Sequence, residues 1–101
     1  MALRGPEGKL QDKFVRYLKA QDIHYKKQEV GRYMVSSGWP DFAIFPGKGR
    51  VFFVELKAPG KKPTPLQEYQ FQMLRADGYA VHVADSFDNA VQACSLERKS
   101  Q

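Results

Sequence analysis

The chain is poor in the features that mark exported, membrane-bound or metal-stapled proteins. It has one cysteine, Cys94, so no internal disulfide can form. No run of about 18 apolar residues occurs, which excludes a helix of membrane-spanning length. Met1-Ala2-Leu3-Arg4 carries no apolar stretch of the kind that begins a secretion signal. Together these features point to a reducing, cytosolic setting. The two histidines, His24 and His82, are not at ligand spacing and read as ordinary strand residues rather than zinc ligands. There is no repeat, low-complexity segment or linker, and 101 residues leave too little chain for a second core. One domain over residues 1–101 is expected.

What is present suits a packed interior. Hydrophobic residues make up 43% of the chain, too many for a disordered one. The net charge of +5 suggests a polyanionic partner such as nucleic acid, though charge alone is weak ground. Pro6 fits a first helical position, and Leu10, Phe14, Tyr17 and Leu18 give that helix one apolar stripe. Ile23 to Val30 reads as a strand whose lysines suit a sheet edge. Ser36-Ser37-Gly38 is a loop signal. Asp41–Phe45 and Val51–Glu55 are apolar, β-prone runs around a Pro46-Gly-Lys-Gly49 turn, which predicts a hairpin from Asp41 to Lys57. Ala58 to Pro63 is a basic loop. Thr64-Pro65-Leu66-Gln67 starts a helix by a capping box, with Leu66, Tyr69, Met73 and Leu74 as its apolar stripe and Gly78 at its end. Tyr79–Val83 reads as a strand. Ser86 caps a last helix carrying Phe87, Ala90, Val91 and Cys94, with Cys94 in the core, and Glu97 to Gln101 are expected to fray. The order α-β-β-β-α-β-α predicts an α/β (α+β) fold, a mixed sheet flanked by helices.

The hairpin carries the chemistry. With its turn centred on Lys48, residues whose numbers sum to about 96 face each other, so Asp41 falls opposite Glu55 and Lys57 shares their face. Like charges facing across strands destabilise a sheet, and a divalent cation removes that penalty. Mg²⁺ takes oxygen ligands from one or two carboxylates, water and phosphate. The Leu56 carbonyl is a plausible further ligand. Lys57 would lie near a bound water and a scissile phosphate, placed to orient that water and offset transition-state charge. An Asp at a strand start and Glu-x-Lys at a strand end are also common surface features, and spacing alone leaves that reading open.

Pro40-Asp41 followed by Glu55-Leu56-Lys57 resembles the PD-(D/E)XK nuclease superfamily. Gly38-Trp39-Pro40-Asp41-Phe42, Phe53-Val-Glu55-Leu-Lys57-Ala-Pro59-Gly-Lys61, Gln67 and Leu74-Arg-Ala-Asp-Gly78-Tyr narrow the resemblance to the virus-type replication-repair nuclease (VRR-NUC) domain, from about Glu7 to about Val91. The resemblance implies a restriction-endonuclease-like sheet and a Mg²⁺- or Mn²⁺-dependent DNA nuclease. Asp41 and Glu55 would be its acid pair and Lys57 its catalytic lysine. It also maps a helix-one glutamate to Glu7 and a glutamine after the core strand to Gln67. It further implies a small phage or bacterial cytoplasmic protein, a homodimer that cuts four-way (Holliday) junctions. Tyr33-Met-Val-Ser-Ser37 matches no role.

Simpler roles exist for several of these residues. Glu7 favours the helix dipole from a first turn, and Gln67 is the capping partner of Thr64. Lys48, Arg50, Lys61 and Lys62 suit phosphate contacts, Lys61 and Lys62 best because they adjoin the site. Singly, each also fits a solvated surface. Trp39 fits a base-stacking role or a packing role, whereas Tyr69 and Phe71 fit packing. The competing function is a non-catalytic nucleic-acid-binding module on a nuclease fold, which has no need of Asp41, Glu55 and Lys57 together. A restriction-type enzyme ranks lower, because no segment is left to read sequence.

Overall fold

The computed structural model describes residues 5–28 and 38–99. Met1 to Arg4, Val30, the Tyr33–Ser37 segment, Ser100 and Gln101 lie outside the described residues. Seven elements follow in the expected order: α1 (Pro6–Ala20), β1 (His24–Lys27), β2 (Phe42–Gly47), β3 (Arg50–Leu56), α2 (Pro65–Ala76), β4 (Val81–Ala84) and α3 (Phe87–Lys99). The strands form one mixed sheet in the order β1-β2-β3-β4. β1 and β2 pair antiparallel, as do β2 and β3, while β3 and β4 run parallel. The parallel step follows from α2, whose crossover returns the chain to the starting end of β3.

Alternation along β2 and β3 divides the sheet into two faces. Phe42, Ile44, Phe52, Val54 and Leu56 pack with Phe14 and Leu18 of α1 and with Ala90 and Cys94 of α3. Each large apolar side chain fully buried there contributes roughly 1.5–3 kcal/mol. On the opposite face Phe53 meets Phe71, Leu74 and Val81 in a smaller cluster, to which α2 contributes Phe71 and Leu74.

The hairpin closes through Lys48 and Gly49, with φ of 57° and 74°. Positive φ at both central residues is the two-residue turn whose twist matches the strands. The turn pairs Gly47 with Arg50, and a bulge between Ile44 and Gly47 restores the register Ile44↔Phe52, Ala43↔Phe53 and Phe42↔Val54. The expected sum of 96 therefore holds toward Asp41, although the turn itself is shifted by one. A slip there would have moved Glu55 to the other face.

Three expectations are corrected. Leu66, Tyr69 and Met73 of α2 are exposed, and Phe71 and Leu74 make its buried stripe. Phe71 and Leu74 are the side chains of α2 that pack with Val81 and Phe53 of the sheet, which leaves the other three toward solvent. The last strand starts at Val81, not Tyr79, because Tyr79 belongs to the end of α2. Its N–H bonds the Leu74 carbonyl while that of Gly78, at φ 95°, bonds the Arg75 carbonyl, a Schellman closure. Finally, α3 does not fray at Glu97 but runs to Lys99, and the Glu97 carbonyl accepts from Arg50 Nη1 at 2.9 Å.

One glycine fixes the approach of the chain to the site. Gly38 has φ 84°, and a Cβ there would lie 2.8 Å from the Leu66 carbonyl oxygen in the first turn of α2. Gly38→Ala is expected to combine a left-handed backbone penalty with a clash against main chain, costing roughly 2 kcal/mol or more. Thermal unfolding of the variant checks this, and an unchanged midpoint would refute it.

Candidate active site

The acidic pair sits where the β2–β3 ladder ends. The Asp41 N–H donates to Glu55 Oε1 at 3.1 Å, and the Leu56 N–H donates to Asp41 Oδ2 at 3.1 Å. Each carboxylate thus takes a main-chain donor from the other strand in place of a further rung of ladder. The Asp41 carbonyl in turn accepts from the Gln28 N–H at 2.7 Å, which ties the residue to the end of β1. The backbone on both sides therefore holds two like charges together.

Burial sharpens the conflict. Glu55 is 1% exposed and is the fully buried charged residue of the described chain. Its carboxyl is pushed up to about 7 by loss of water and then by the charge of Asp41, against the opposing pull of Lys57. Asp41 is also raised, chiefly by burial. Glu7 adds to the shift, while the Leu56 N–H, the Gln11 side chain and Lys57 oppose it. Lys57 Nζ lies 3.4 Å from Glu55 Oε2, with its side chain 12% exposed.

Gln67 completes the expected capping box, and a different atom of its side chain reaches Glu55 rather than Lys57. Its Oε1 accepts from the Thr64 N–H at 2.9 Å and its N–H donates to Thr64 Oγ1 at 3.2 Å, completing the capping box. Its Nε2 donates to Glu55 Oε2 at 3.1 Å. The cap thus points the amide donor at the carboxylate. Glu7 lies in the first turn of α1, close enough for its charge to act on Asp41. Gln11, one helical turn further along the same face, is close enough for its side chain to oppose the upward shift of Asp41. Sequence reasoning missed Gln11; its i, i+4 spacing from Glu7 was the available signal.

The basic residues separate into two groups. Lys61 and Lys62 are exposed on the loop after Lys57, and that loop is pinned where the Gly60 N–H donates to Asp85 Oδ2 at 3.4 Å. Lys48 and Arg50 lie at the turn end of the hairpin. Arg50 is five residues from Glu55 along β3, or about 17 Å, and its guanidinium is engaged with Glu97. Phosphate contacts there would involve a different part of a substrate. Cys94 is buried as expected, and burial pushes its thiol up to about 11, so it offers no thiolate nucleophile.

A four-stranded mixed sheet with an acidic pair and a lysine at the end of its central hairpin defines a nuclease-type domain. The profile of the VRR-NUC domain family matches residues 6–88, and the chain belongs to that family. "Putative nuclease p44" of Acyrthosiphon pisum secondary endosymbiont phage 1 is 43% identical over 70 residues, which are 69% of this chain and 71% of that protein. A solved VRR-NUC domain matches with a TM-score of 0.74 at 25% identity, covering 91% of this chain and 97% of its own. A second solved structure, a VRR-NUC domain protein, is alike in fold with a TM-score of 0.74 at 24% identity, covering 93% and 89%. The chain is a nuclease domain.

The raised carboxyls set a test in the absence of metal. Glu55 in the folded protein holds its proton to about pH 7, whereas unfolded it releases it near the ordinary glutamate value. Between those values unfolding releases a proton, so metal-free stability falls as pH rises through the window and levels off above it. Asp41→Asn removes the like charge, and at pH 8 in EDTA it is expected to gain about 1 kcal/mol, roughly 4–8 °C in midpoint. The gain is expected to shrink at pH 5. Equal midpoints for variant and wild type at both pH values would show that the pair is not in conflict.

Proposed function

We propose that the domain is a Mg²⁺- or Mn²⁺-dependent endonuclease that hydrolyses phosphodiester bonds in branched DNA, with four-way junctions as substrate and a homodimer as the active form. The observation that carries this reading is the pairing of half-buried Asp41 with buried Glu55, two like charges that the fold assembles beside a single lysine. A non-catalytic binding module would gain stability by discarding one member of that pair.

The donor set fits a hard divalent ion. Among the described residues no three His, Cys, Asp or Glu side chains converge, so the protein offers two carboxylates. The N–H of Leu56 points toward Asp41, and in an antiparallel strand the carbonyl of a residue points to the same side as its N–H. Asp41, Glu55 and the Leu56 carbonyl would then supply an oxygen set with positions left for water and phosphate, the pattern preferred by Mg²⁺. The bound ion would supply polarisation of the phosphate and acidification of a water.

The remaining work falls to the chain itself. Lys57, held against Glu55, is placed to orient the attacking water and to offset the charge developing on the phosphate. Gln67 fixes the Glu55 carboxylate, and Gln11 and the Leu56 N–H fix that of Asp41. Lys61 and Lys62 bind flanking phosphates. Two symmetric cuts at a junction call for two sites related by a two-fold axis, which a homodimer provides.

The test is cleavage of a labelled four-way junction beside linear duplex and flap controls, with Mg²⁺, Mn²⁺ or EDTA. Paired, metal-dependent cuts are expected. Asp41→Asn, Glu55→Gln and Lys57→Ala are each expected to slow them by about 100-fold or more while DNA stays bound. Tight binding with no cut in either metal would favour the binding module. The double variant Lys61→Ala, Lys62→Ala is expected to weaken binding and reduce the slope of log K against log salt by about 1.8 on duplex arms; an unchanged slope removes these lysines from the interface. Sedimentation showing only monomer, with and without junction, would refute the dimer.

A further inference from the structure

The geometry points to a nucleobase site in the pocket of described residues beside the acidic pair, where Trp39 stacks against an unpaired base next to the scissile phosphate. This inference rests on the nuclease reading and names the feature of the substrate that the site selects.

A cavity of about 500 Å³ lies there, lined by Lys26, Gln28, Trp39, Pro40, Ala43 and Phe53. Trp39, Pro40, Ala43 and Phe53 make most of its lining apolar. Trp39 is 42% exposed, and its ring meets that of Phe53 at 6.2 Å and 63°. Ala43 is two residues beyond Asp41, and Phe53 is two residues before Glu55. Both pairs share a sheet face, so the shelf begins about 7 Å from the carboxylates, the length scale of a single nucleotide.

The Trp39 backbone is held while its side chain stays partly exposed. Gly38 seats the chain against Leu66. The Gln28 amide, turned so that its nitrogen faces them, reaches the carbonyls of Trp39 and Pro40 at 3.1 and 3.0 Å. The Gln28 N–H binds the Asp41 carbonyl. Pro40 is buried. A ring fixed by its backbone yet open on its flank loses little entropy on stacking, and base–aromatic stacking is indifferent to base identity.

Charge selects the occupant. Lys26 borders the shelf at one end and Lys57 stands at the acidic pair, so a base on the shelf has a cation near the phosphate on either side. A second copy of this chain would bring its own net charge of +5 against Lys26. A base paired within a duplex stays in its stack and cannot lie on Phe53 and Trp39. A base at a branch point or bulge can do so at little cost.

Trp39 is the sole tryptophan, so its fluorescence reports on this shelf alone. The experiment titrates the Asp41→Asn protein with a dT oligonucleotide and with an abasic oligonucleotide of the same length, following tryptophan emission and the anisotropy of labelled DNA. The dT strand is expected to quench emission and to bind about ten-fold more tightly, equivalent to about 1.4 kcal/mol; the abasic strand is expected to bind without quenching. Trp39→Phe should keep part of the affinity difference and Trp39→Ala should abolish it, with circular dichroism confirming that both fold. In the otherwise wild-type protein, Trp39→Ala should also reduce the ratio of kcat/KM for a duplex with one unpaired nucleotide over a fully paired duplex.

Equal affinity and equal emission for the two strands would overturn the inference. So would emission that follows protein concentration rather than DNA, with Trp39→Ala converting a dimer to monomer, since the shelf would then be an interface between copies. Metal-dependent cleavage with base-independent binding would sink this inference and leave the nuclease reading standing. Base-dependent quenching in a protein that never cuts would do the reverse.

Discussion

The exchange of main-chain donors between Asp41 and Glu55 is the constraint on which the site depends. Two carboxylates are brought together because each completes the hydrogen bonding at the frayed end of a ladder: Asp41 N–H to Glu55, Leu56 N–H to Asp41. Repulsion alone would drive these side chains apart and into water. The β2–β3 register prevents that, and it is set by the type of turn at Lys48–Gly49 and the bulge that follows it. The electrostatic conflict at one end of the hairpin is therefore imposed partly by backbone geometry at the other.

Much of this was legible in the sequence because local signals agreed with the global fold. Thr64, Pro65 and Gln67 specify a helix start without tertiary information, and a pair of β-prone runs around a Gly-rich turn specifies a hairpin. The Asp41–Glu55 facing followed from counting residues. The errors arose where packing decided. Nothing local says whether α2 buries Leu66, Tyr69 and Met73 or Phe71 and Leu74; its packing against Val81 and Phe53 does. The fraying expected at Glu97 overlooked a long-range bond from Arg50, 47 residues away in sequence.

Site residues were legible to different depths for a similar reason. Gln67 could be assigned a capping role from spacing, but its bond to Glu55 depends on the angle at which α2 leaves the sheet. Gln11 was missed because its spacing from Glu7 gains meaning only when the first turns of α1 lie near Asp41, at the start of β2. Lys61 and Lys62 ranked above Lys48 and Arg50 because they adjoin the site, but spacing did not show how far apart the two groups lie. The length of β3 separates them, and Arg50 is used to tie the hairpin to α3.

Stability and chemistry therefore meet at the same few atoms. Gln67 caps α2 and holds Glu55; Gln28 closes the β1–β2 ladder and clamps the Trp39–Asp41 segment; Gly38 lets that segment approach α2. Each uses one group for the fold and another for the site. In a domain of 101 residues, with too little chain for separate supporting layers, such double use is how a small core positions a reactive pair. A substitution at these residues disturbs both levels at once. The roles can be parted only by changes that keep the backbone bond and remove the side chain's second contact, or that keep the charge pattern while relieving the strain of holding it.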